Sequence, residues 1–489
     1  MTAPGSDELA KKMESLSVDN APAAPGGEGG GAMAPPAAPS LASAAGSSTN
    51  GANQKVVDTS TLTFEQVQAF ILAKQREDLM ARIKKKQDKE DKALIKDHKF
   101  WDSQPMLPKE AFRDGPATTA ETPKNQPVNP VEDVSKVRQE PYPMPAGFVW
   151  CELDMNNEEH VAELYKLLSE NYVEDDDAMF RFDYSADFLR WALTLPEYRK
   201  EWHVGVRVEK TGKLMASITG VPAKISVRGT KREMVEINFL CVHKKLREKR
   251  LAPVLIKEIT RRVNLTGRWQ AVYTAGTVVP TPIASTQYFH RNLQVEKLID
   301  IQFSYLPRGK RMADHVKDLS IPAAPKHAFR PMGEADVPQV TAMLNSYLST
   351  HCQIYQVFEE SEVRHLLLPR DRVIESYVLE GAGGTITDYL SFYYLPSTVM
   401  KHAKHKELSA VYSYYNIAGT MSSTELMLDA LVLAKKGGAD VFNALNVMQN
   451  EQVFEPLKFG AGDGFLQYYV YNWHTTPVLR SSEVGIVLV

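Results

Sequence analysis

The order of secondary-structure signals in this chain repeats once from residue 148 onward. The first half opens with a helix-periodic stretch over residues 158–172, EEHVAELYKLLSENY, followed by FLRWALTLP. A strand over 202–208, the turn KTGK and a second strand, LMASITGVP, come next. The second half opens with a helical stretch over 334–351 and then VRHLLLP. A strand SYVLE over 376–380, the turn GAGG and a second strand, TITDYLSFYYLP, follow. Each half then continues with strand, helix and further β structure, the helix over 425–436 matching that over 253–263. This alternation predicts an α/β chain of the α+β type. It would be a duplicated unit with a largely antiparallel central sheet flanked by helices. The two halves agree in pattern and share little residue identity.

Bulk properties exclude several classes. A formal net charge of -3 over 489 residues gives no global pull toward DNA or acidic membranes. Any polyanion site must be a local basic cluster. The three cysteines, Cys151, Cys241 and Cys352, form no CxxC pair. A structural metal or a disulfide framework is therefore not expected, and the usage suits a reducing compartment. No apolar run is long enough to cross a bilayer, and the N-terminus lacks the parts of a signal peptide. A soluble, cytoplasmic, monomeric protein is the expectation.

Residues 1–97 divide into an Ala/Pro/Gly/Ser tail and a basic helical segment. The tail cannot bury enough apolar surface to offset its ordering entropy. The window 74–97 carries nine Lys/Arg against six Asp/Glu, with Lys84, Lys85 and Lys86 in a row. A solvated helix explains it; contact with ribosomal RNA is the sharper reading. Residues 98–147 read as a docking and linker segment. Phe100 and Trp101 are the only large aromatics in its first part, and such residues tend to dock on a folded body. The first half of the repeat then spans 148–328 and the second 329–489.

The chemistry-bearing stretch is MVEINFLCV (234–242) running straight into HKKLREKRLAP. The first part is apolar and β-branched enough for a buried strand. Pro253 sits where the first turn of a helix tolerates it, and VLIKEITRRV continues with helical spacing. A helix N-terminus offers unpaired N–H groups and the positive end of its dipole. Lys244, Lys245, Arg247, Lys249 and Arg250 crowd the preceding loop, so strand, loop and helix start together form a pyrophosphate cradle. The glycines of a P-loop or a Rossmann turn are missing. On its own the stretch reads equally as a basic surface loop.

Other blocks accompany it: FWDSQP (100–105), YVEDDDAMFRFDYS (172–185), QAVYTAG (270–276), KFGAGDGFLQYYVYNW (458–473) and the terminal VGIVLV. In this order they resemble the eukaryotic N-myristoyltransferases, acyltransferases of the acetyltransferase-like superfamily, over about residues 98–489. The resemblance implies myristoyl-CoA as co-substrate, no permanently bound cofactor and no metal. It implies acyl-CoA bound by the first half and a peptide with an N-terminal glycine bound mainly by the second. CoA contacts fall on Lys99, Phe100, Trp101, Glu248, Lys249, Arg250, Leu251 and Ala252. Phe239, Leu240, Cys241 and Val242 supply acyl and thioester contacts.

A thioester is already activated, so amine attack on it needs an oxyanion hole and a base but no nucleophilic side chain. The resemblance puts the backbone amides of Phe239 and Leu240 at the thioester carbonyl. It makes the C-terminal carboxylate, here that of Val489, the base. A free terminal carboxyl titrates at about 3.3–3.7 and is a weak base; the apolar run VGIVLV predicts a strand that carries it into a dry place, where its proton affinity rises. An ordinary edge strand with a solvated end is the plain alternative. Asn238 and Thr274 match positions near the substrate amine, and a structural backbone cap is the other reading for each. Gly276, Tyr288 and His290 would line the peptide path. The acidic run with Asp175 and Asp177, together with Asp463, would meet a basic residue of the peptide. Tyr172, Val173, Phe180, Phe182 and Tyr184 interleave that run as a lid would. Gly460, Gly462 and Gly464 would let backbone approach the peptide, and Ser397 and Tyr412 are further groove candidates. Three rival functions are an acetyl-CoA-dependent N-acetyltransferase, an acyl carrier on Cys241, and a non-catalytic peptide- or ribosome-binding protein.

Overall fold

The protein is described as a computed structural model covering Lys92, Lys96, residues 98–109, Ala111 and residues 124–130, 132–173 and 179–489. The readings of the tail, of the lysine run at 84–86 and of Asp175 and Asp177 lie outside the described residues.

Fourteen strands form one mixed sheet. In chain order they are β1 (Phe148–Glu152), β2 (His203–Val208), β3 (Leu214–Val227), β4 (Thr230–Val242), β5 (Ala271–Ala275), β6 (Ala284–Asn292) and β7 (Arg330–Pro331). They continue with β8 (Ile354–Gln356), β9 (Ile374–Glu380), β10 (Ile386–Tyr394), β11 (Ala410–Ile417), β12 (Val441–Leu445), β13 (Gly460–Tyr471) and β14 (Val484–Gly485). The order across the sheet is β14-β8-β3-β4-β5-β13-β6-β12-β11-β10-β9-β7, with β1 and β2 added beside β3. Only the pairs β8/β14, β4/β5 and β11/β12 are parallel.

The duplication is visible in those parallel pairs. Strand β4 leads through helix α3 (Leu251–Asn264) to β5, and β11 leads through helix α6 (Ser423–Lys436) to β12. Parallel strands that follow one another in the chain need a long crossover, usually a helix. The halves then exchange strands. β13 of the second half lies between β5 and β6 of the first, and β6 in turn pairs with β12.

Local chemistry accounts for the helices that brace the sheet. Helix α1 (Glu158–Asn171) starts where the Asn157 side chain accepts from the N–H groups of Glu159 and His160, a cap worth about 1 kcal/mol. Its buried Val161, Leu164, Leu167 and Leu168 form one stripe. Ser422 and Glu425 close a reciprocal capping box at the start of α6. Helices α2 (Ala186–Leu193), α4 (Val337–His351) and α5 (Glu360–Leu367) pack on the same side as α1, around a core containing Phe188, Trp191, Leu344 and Val363.

The segment expected as a linker is docked in its described part. Glu258 of α3 accepts from the Tyr142 N–H at 3.1 Å and pairs with Arg261 at 2.6 Å, while Arg261 reaches the Gln139 carbonyl at 2.9 Å. Asn125 and Gln126 pair with Thr475 and His474. Polar backbone atoms here find side-chain partners, which composition does not reveal.

The C-terminal run is less regular than expected. Only Val484 and Gly485 pair as a strand, with Ile354 and Tyr355. Beyond them Ile486 and Val487 are buried in the core without further sheet pairing, and Leu488 and Val489 are partly buried. Hydroxyls replace the ladder: Tyr468 donates to the Ile486 carbonyl at 2.9 Å, and the Val487 N–H donates to the Tyr415 hydroxyl at 3.3 Å. A Cβ at Gly485 would lie 2.8 Å from Cys352 Sγ and 2.9 Å from Leu348 Cδ2, both on or beside α4. Gly485→Ala is therefore expected to destabilise the fold by about 1–3 kcal/mol; thermal unfolding of the variant beside the wild type measures it.

Candidate active site

The site lies where β4 and β5 part. Their parallel ladder covers only Val235↔Ala271 and Glu236↔Val272. From Asn238 on one side and Thr274 on the other, the strands no longer pair with each other. Here β4 also carries a bulge. Ser217 and Thr219, two residues apart on β3, face Cys241 and Asn238, three apart on β4. Phe239 takes a left-handed φ of 49° at this point, an uncommon state for an aromatic residue. The bulge withdraws two carbonyls from the ladder, and hydroxyls of β3 recover them. Ser217 donates to the Phe239 carbonyl at 3.0 Å and Thr219 to the Asn238 carbonyl at 2.9 Å.

Asn238 is the polar hinge of the site. Its side-chain N–H donates to the Val489 carbonyl oxygen, and its side-chain oxygen accepts from the Phe239 N–H at 3.0 Å. The last residue of the chain therefore sits against the bulge, 251 residues away in sequence. Thr274 lies opposite Tyr468 on β13, whose hydroxyl holds the C-terminal segment. Directly opposed residues share a face, so Thr274 is on the same side as that segment.

Aromatic rings wall the opening. Phe239 meets Tyr184 at 5.1 Å and Tyr172 at 6.0 Å between centroids. The ring chain continues through Phe182 to Tyr412 and on to Tyr288. Phe180 and His290 both meet Phe303. Ser397 is paired with Phe182 in a small three-stranded sheet that also contains Glu407 and Leu408. Residues named from separate sequence blocks thus line one wall. Val173 is 49% exposed at its edge. Asp463 is exposed on the bulged start of β13.

One of the glycines is required by the fold itself. A Cβ at Gly462 would fall 2.3 Å from His290 Nε2, so this glycine lets β13 cross the ring. Gly276 and Gly460 have room for a Cβ. The bulk of the fold does not require a glycine at either position.

Two side chains are electrostatically unsuited to nucleophilic or base chemistry. Cys241 is buried, with its Sγ 4.0 Å from the Leu167 carbonyl. Burial pushes its thiol up to about 12, against the opposing pull of Arg247. A thiol in that state supplies almost no thiolate at neutral pH. His290 bonds through Nδ1 to Asn443 at 2.6 Å, and its proton affinity is lowered, chiefly by burial. The neutral form of the ring is favoured.

On the opposite face, Trp101 stacks on Tyr273 at 6.0 Å, and Tyr273 on Tyr469 at 4.9 Å. Phe100 is buried and Lys99 exposed. Tyr471 donates to the Gln104 side chain at 3.0 Å and packs with α3. The basic loop after β4 is a tight 3-10 turn, Lys244–Lys249, ending at Arg250 in the left-handed region. Glu248 and Lys249 are exposed, Leu251 is buried, and Ala252 is partly covered within the first turn of α3. Arg247 points inward and binds the Asn171 carbonyl, while the Lys244 N–H donates to the Asn171 side chain at 3.0 Å. Arg247 thus anchors the loop to α1, leaving its neighbours to face solvent. Among the described residues no cluster of metal-ligating side chains occurs.

Family models cover this architecture in two parts. The N-terminal domain of myristoyl-CoA:protein N-myristoyltransferase matches residues 127–286, and its C-terminal domain matches residues 300–487. The chain belongs to the N-myristoyltransferase family. It is 49% identical to glycylpeptide N-tetradecanoyltransferase 2 of Danio rerio, over 81% of this chain and 78% of that one. It is 48% identical to glycylpeptide N-tetradecanoyltransferase 1 of Arabidopsis thaliana, over 86% and 96%. A crystal structure of the Saccharomyces cerevisiae N-myristoyltransferase with bound myristoyl-CoA superposes with a TM-score of 0.75 at 38% identity, covering 81% of this chain and all of that one.

As a member of an N-myristoyltransferase family the chain is an acyltransferase. The residue that sequence reading passed over is Glu236. It lies two positions before Asn238 on the same face of β4, half-buried, and desolvation pushes its carboxyl up to about 7, offset in part by the nearby Asn238 amide. A glutamate between Val235 and Ile237, in the apolar half of the strand, is the signal that was available. Because the Cys241 thiol is held un-ionised, Cys241→Ser is expected to keep turnover within about threefold, and intact-protein mass spectrometry of the wild type should trap no acyl adduct on it.

Proposed function

We propose that this enzyme transfers myristate from myristoyl-CoA to the N-terminal glycine amine of protein substrates, by direct attack of the amine on the thioester. The observation that carries the mechanism is the contact between Asn238 and Val489 at the bulge of β4. The terminal carboxylate is held by a buried segment beside the backbone that bears Phe239 and Leu240. The peptide N–H groups of these two residues form the oxyanion hole. That of Phe239 is shared in this structure with its neighbour's side chain and turns to the thioester oxygen in the complex. Donors of this kind contribute about 2.7–4 kcal/mol each in acyl transfer.

The step balances simply. A glycine ammonium, with a pKa of about 7.7–8.0, gives one proton to the Val489 carboxylate. The free amine forms the C–N bond and the thioester C–S bond breaks. The amine's second proton leaves with the CoA thiolate. Thr274 and Asn238 orient the amine. Lys99, Phe100, Trp101 and the loop of Glu248, Lys249 and Arg250 bind CoA, with Leu251 and Ala252 lending the amides of the α3 N-terminus. Phe239, Leu240, Cys241 and Val242 contact the thioester end of the acyl chain. Tyr172, Val173, Phe180, Phe182, Tyr184, Gly276, Tyr288, His290, Ser397 and Tyr412 line the peptide path. Asp463 attracts a basic side chain of the peptide. A monomer acting in the cytoplasm fits this reading; among the described residues no helix is long and apolar enough to cross a membrane.

Deleting the last three residues is expected to slow the single-turnover acyl-transfer rate by about 10²–10⁴-fold, the usual worth of a positioned base. Myristoyl-CoA binding should change little. An unchanged rate would remove Val489 from the mechanism. Mass spectrometry of a Gly-starting peptide incubated with the enzyme and acyl-CoAs of different length tests the acyl donor; preference for acetyl would overturn it. Asp463→Lys should raise KM for peptides with a basic residue near the N-terminus by about tenfold, and leave neutral peptides near the wild-type value.

A further inference from the structure

Two separate pieces of chain carry the aromatic wall of the site. One is the small three-stranded sheet. Its middle strand, Ser397–Val399, pairs with Phe180–Phe182 on one side and with Glu407–Leu408 on the other. Just past that strand the Met400 N–H donates to the Met179 carbonyl at 2.8 Å. The other piece is β6 with the short helix Val295–Asp300 that follows it and the turn beyond, which carries Phe303. Asn292 of β6 donates to the Ser304 hydroxyl at 2.9 Å and ties that turn back.

Each piece has an apolar foot in the core, Val399 and Leu408 for the sheet and Leu298 and Ile301 for the helix. Phe303 is the wedge between them, with its ring centroid 5.7 Å from Phe180 and 5.4 Å from His290. Apolar contacts are non-directional. They bring the pieces together without fixing the angle at which they meet. Strands of only two or three residues also give the sheet little rigidity of its own.

Direction comes from three polar side chains. Beyond Val399 the chain turns back through residues 400–406, and His402 and His405 both face Asp300, the last residue of the short helix. Their Nε2 atoms lie 3.7 and 3.3 Å from the same carboxylate oxygen, Oδ2. The two rings stack, with centroids 5.3 Å apart and planes 18° from parallel. The turn itself aims them. The His405 N–H donates to His402 Nδ1 at 3.0 Å, and the Lys406 ammonium donates to the His402 carbonyl at 2.9 Å. With Nδ1 an acceptor, His402 carries its proton on Nε2, toward the carboxylate. The helix is braced from its other side by the pair Lys297–Asp440 at 2.5 Å. The histidine side chains are 25% and 20% exposed and Asp300 is half exposed, so solvent screens the contact only in part. The transfer step proposed above uses none of these three side chains.

We propose that Asp300, His402 and His405 form a clasp that holds the two pieces of the wall at one spacing, and that they are positioning residues for the peptide. The inference rests on the reading of this wall as the peptide path. The clasp acts through the wall, through Phe182 and Ser397 on one piece and His290 on the other. With the clasp closed, the peptide meets a wall already in place, and less ordering opposes binding. With it open, the pieces rock about Phe303, and that motion must be stilled each time a peptide binds. The proposed CoA contacts at Trp101 and the loop before α3 belong to neither piece.

The test uses the full chain, myristoyl-CoA and a Gly-starting peptide. Asp300 is half exposed, so D300A is expected to fold with a Tm near that of the wild type. Its KM for the peptide should rise about three- to fivefold, the upper range for ion pairs of this exposure. Its kcat and its KM for myristoyl-CoA should stay at the wild-type values. Asp300→Glu, which keeps the carboxylate, should recover most of the loss. His402→Gln combined with His405→Gln should match D300A, and the triple variant should be no worse than either. Amide hydrogen exchange over residues 397–408 should quicken in D300A and stay unchanged in α3. An unchanged peptide KM in D300A, an equal loss for both substrates, or an additive triple variant would overturn the clasp. Phe182→Ala separates the two failures. If it raises the peptide KM where D300A does not, the clasp alone falls; if neither does, the reading of the wall as the peptide path falls with it.

Discussion

The bulge in β4 is the constraint on which the site depends. One extra residue between Asn238 and Cys241 breaks the register with β3. Three consequences follow from that break. Phe239 turns its ring into the cluster of Tyr172 and Tyr184. The carbonyls of Asn238 and Phe239 are taken by hydroxyls of β3. The side chain of Asn238 is left to meet the end of the chain. The parting of β4 from β5 provides the space in which this happens. A regular ladder continued past Glu236 would satisfy the same backbone groups and leave no site.

Aromatic packing compensates for the uncommon backbone at Phe239. Its side chain is 1% exposed and touches two tyrosines, and aromatic pairs of this kind contribute about 0.5–1.5 kcal/mol each beyond their buried area. Strain of about 1–3 kcal/mol at a left-handed non-glycine residue persists only where its surroundings over-determine it. The hydroxyls of Ser217 and Thr219 and the Phe239 ring supply that over-determination.

The architecture was legible in the sequence because the halves alternate strand and helix signals with clear boundaries. The α+β class, the largely antiparallel sheet and the strand–loop–helix stretch at 234–263 all appear where the pattern put them. The exchange of β6 and β13 between halves was not legible, since pairing partners some 180 residues apart leave no local trace in periodicity. The site was legible in part. The aromatic residues of separate blocks converge on one wall, and Phe100 and Trp101 are docked as lone aromatics in a linker tend to be. The C-terminal run was expected as a strand because VGIVLV is apolar and β-branched; tyrosine hydroxyls won over ladder partners after Gly485. Glu236 was overlooked because a lone carboxylate among apolar neighbours carries no motif, and its partial burial is set by strands distant in sequence. The glycines of GAGDG were read toward a ligand, whereas Gly462 answers to His290.

The exchanged strands also govern how the chain comes into being. β5 and β6 are synthesised long before β13, the strand that joins them. Until residues 460–471 emerge, the first half carries two open edges of unpaired N–H and C=O groups, which invite mispairing with other chains. Contacts this distant in sequence also form slowly. The nascent first half is therefore an incomplete sheet rather than a finished domain. Cutting the chain between its two similar halves would yield two incomplete sheets, each missing a strand that only the other can lend.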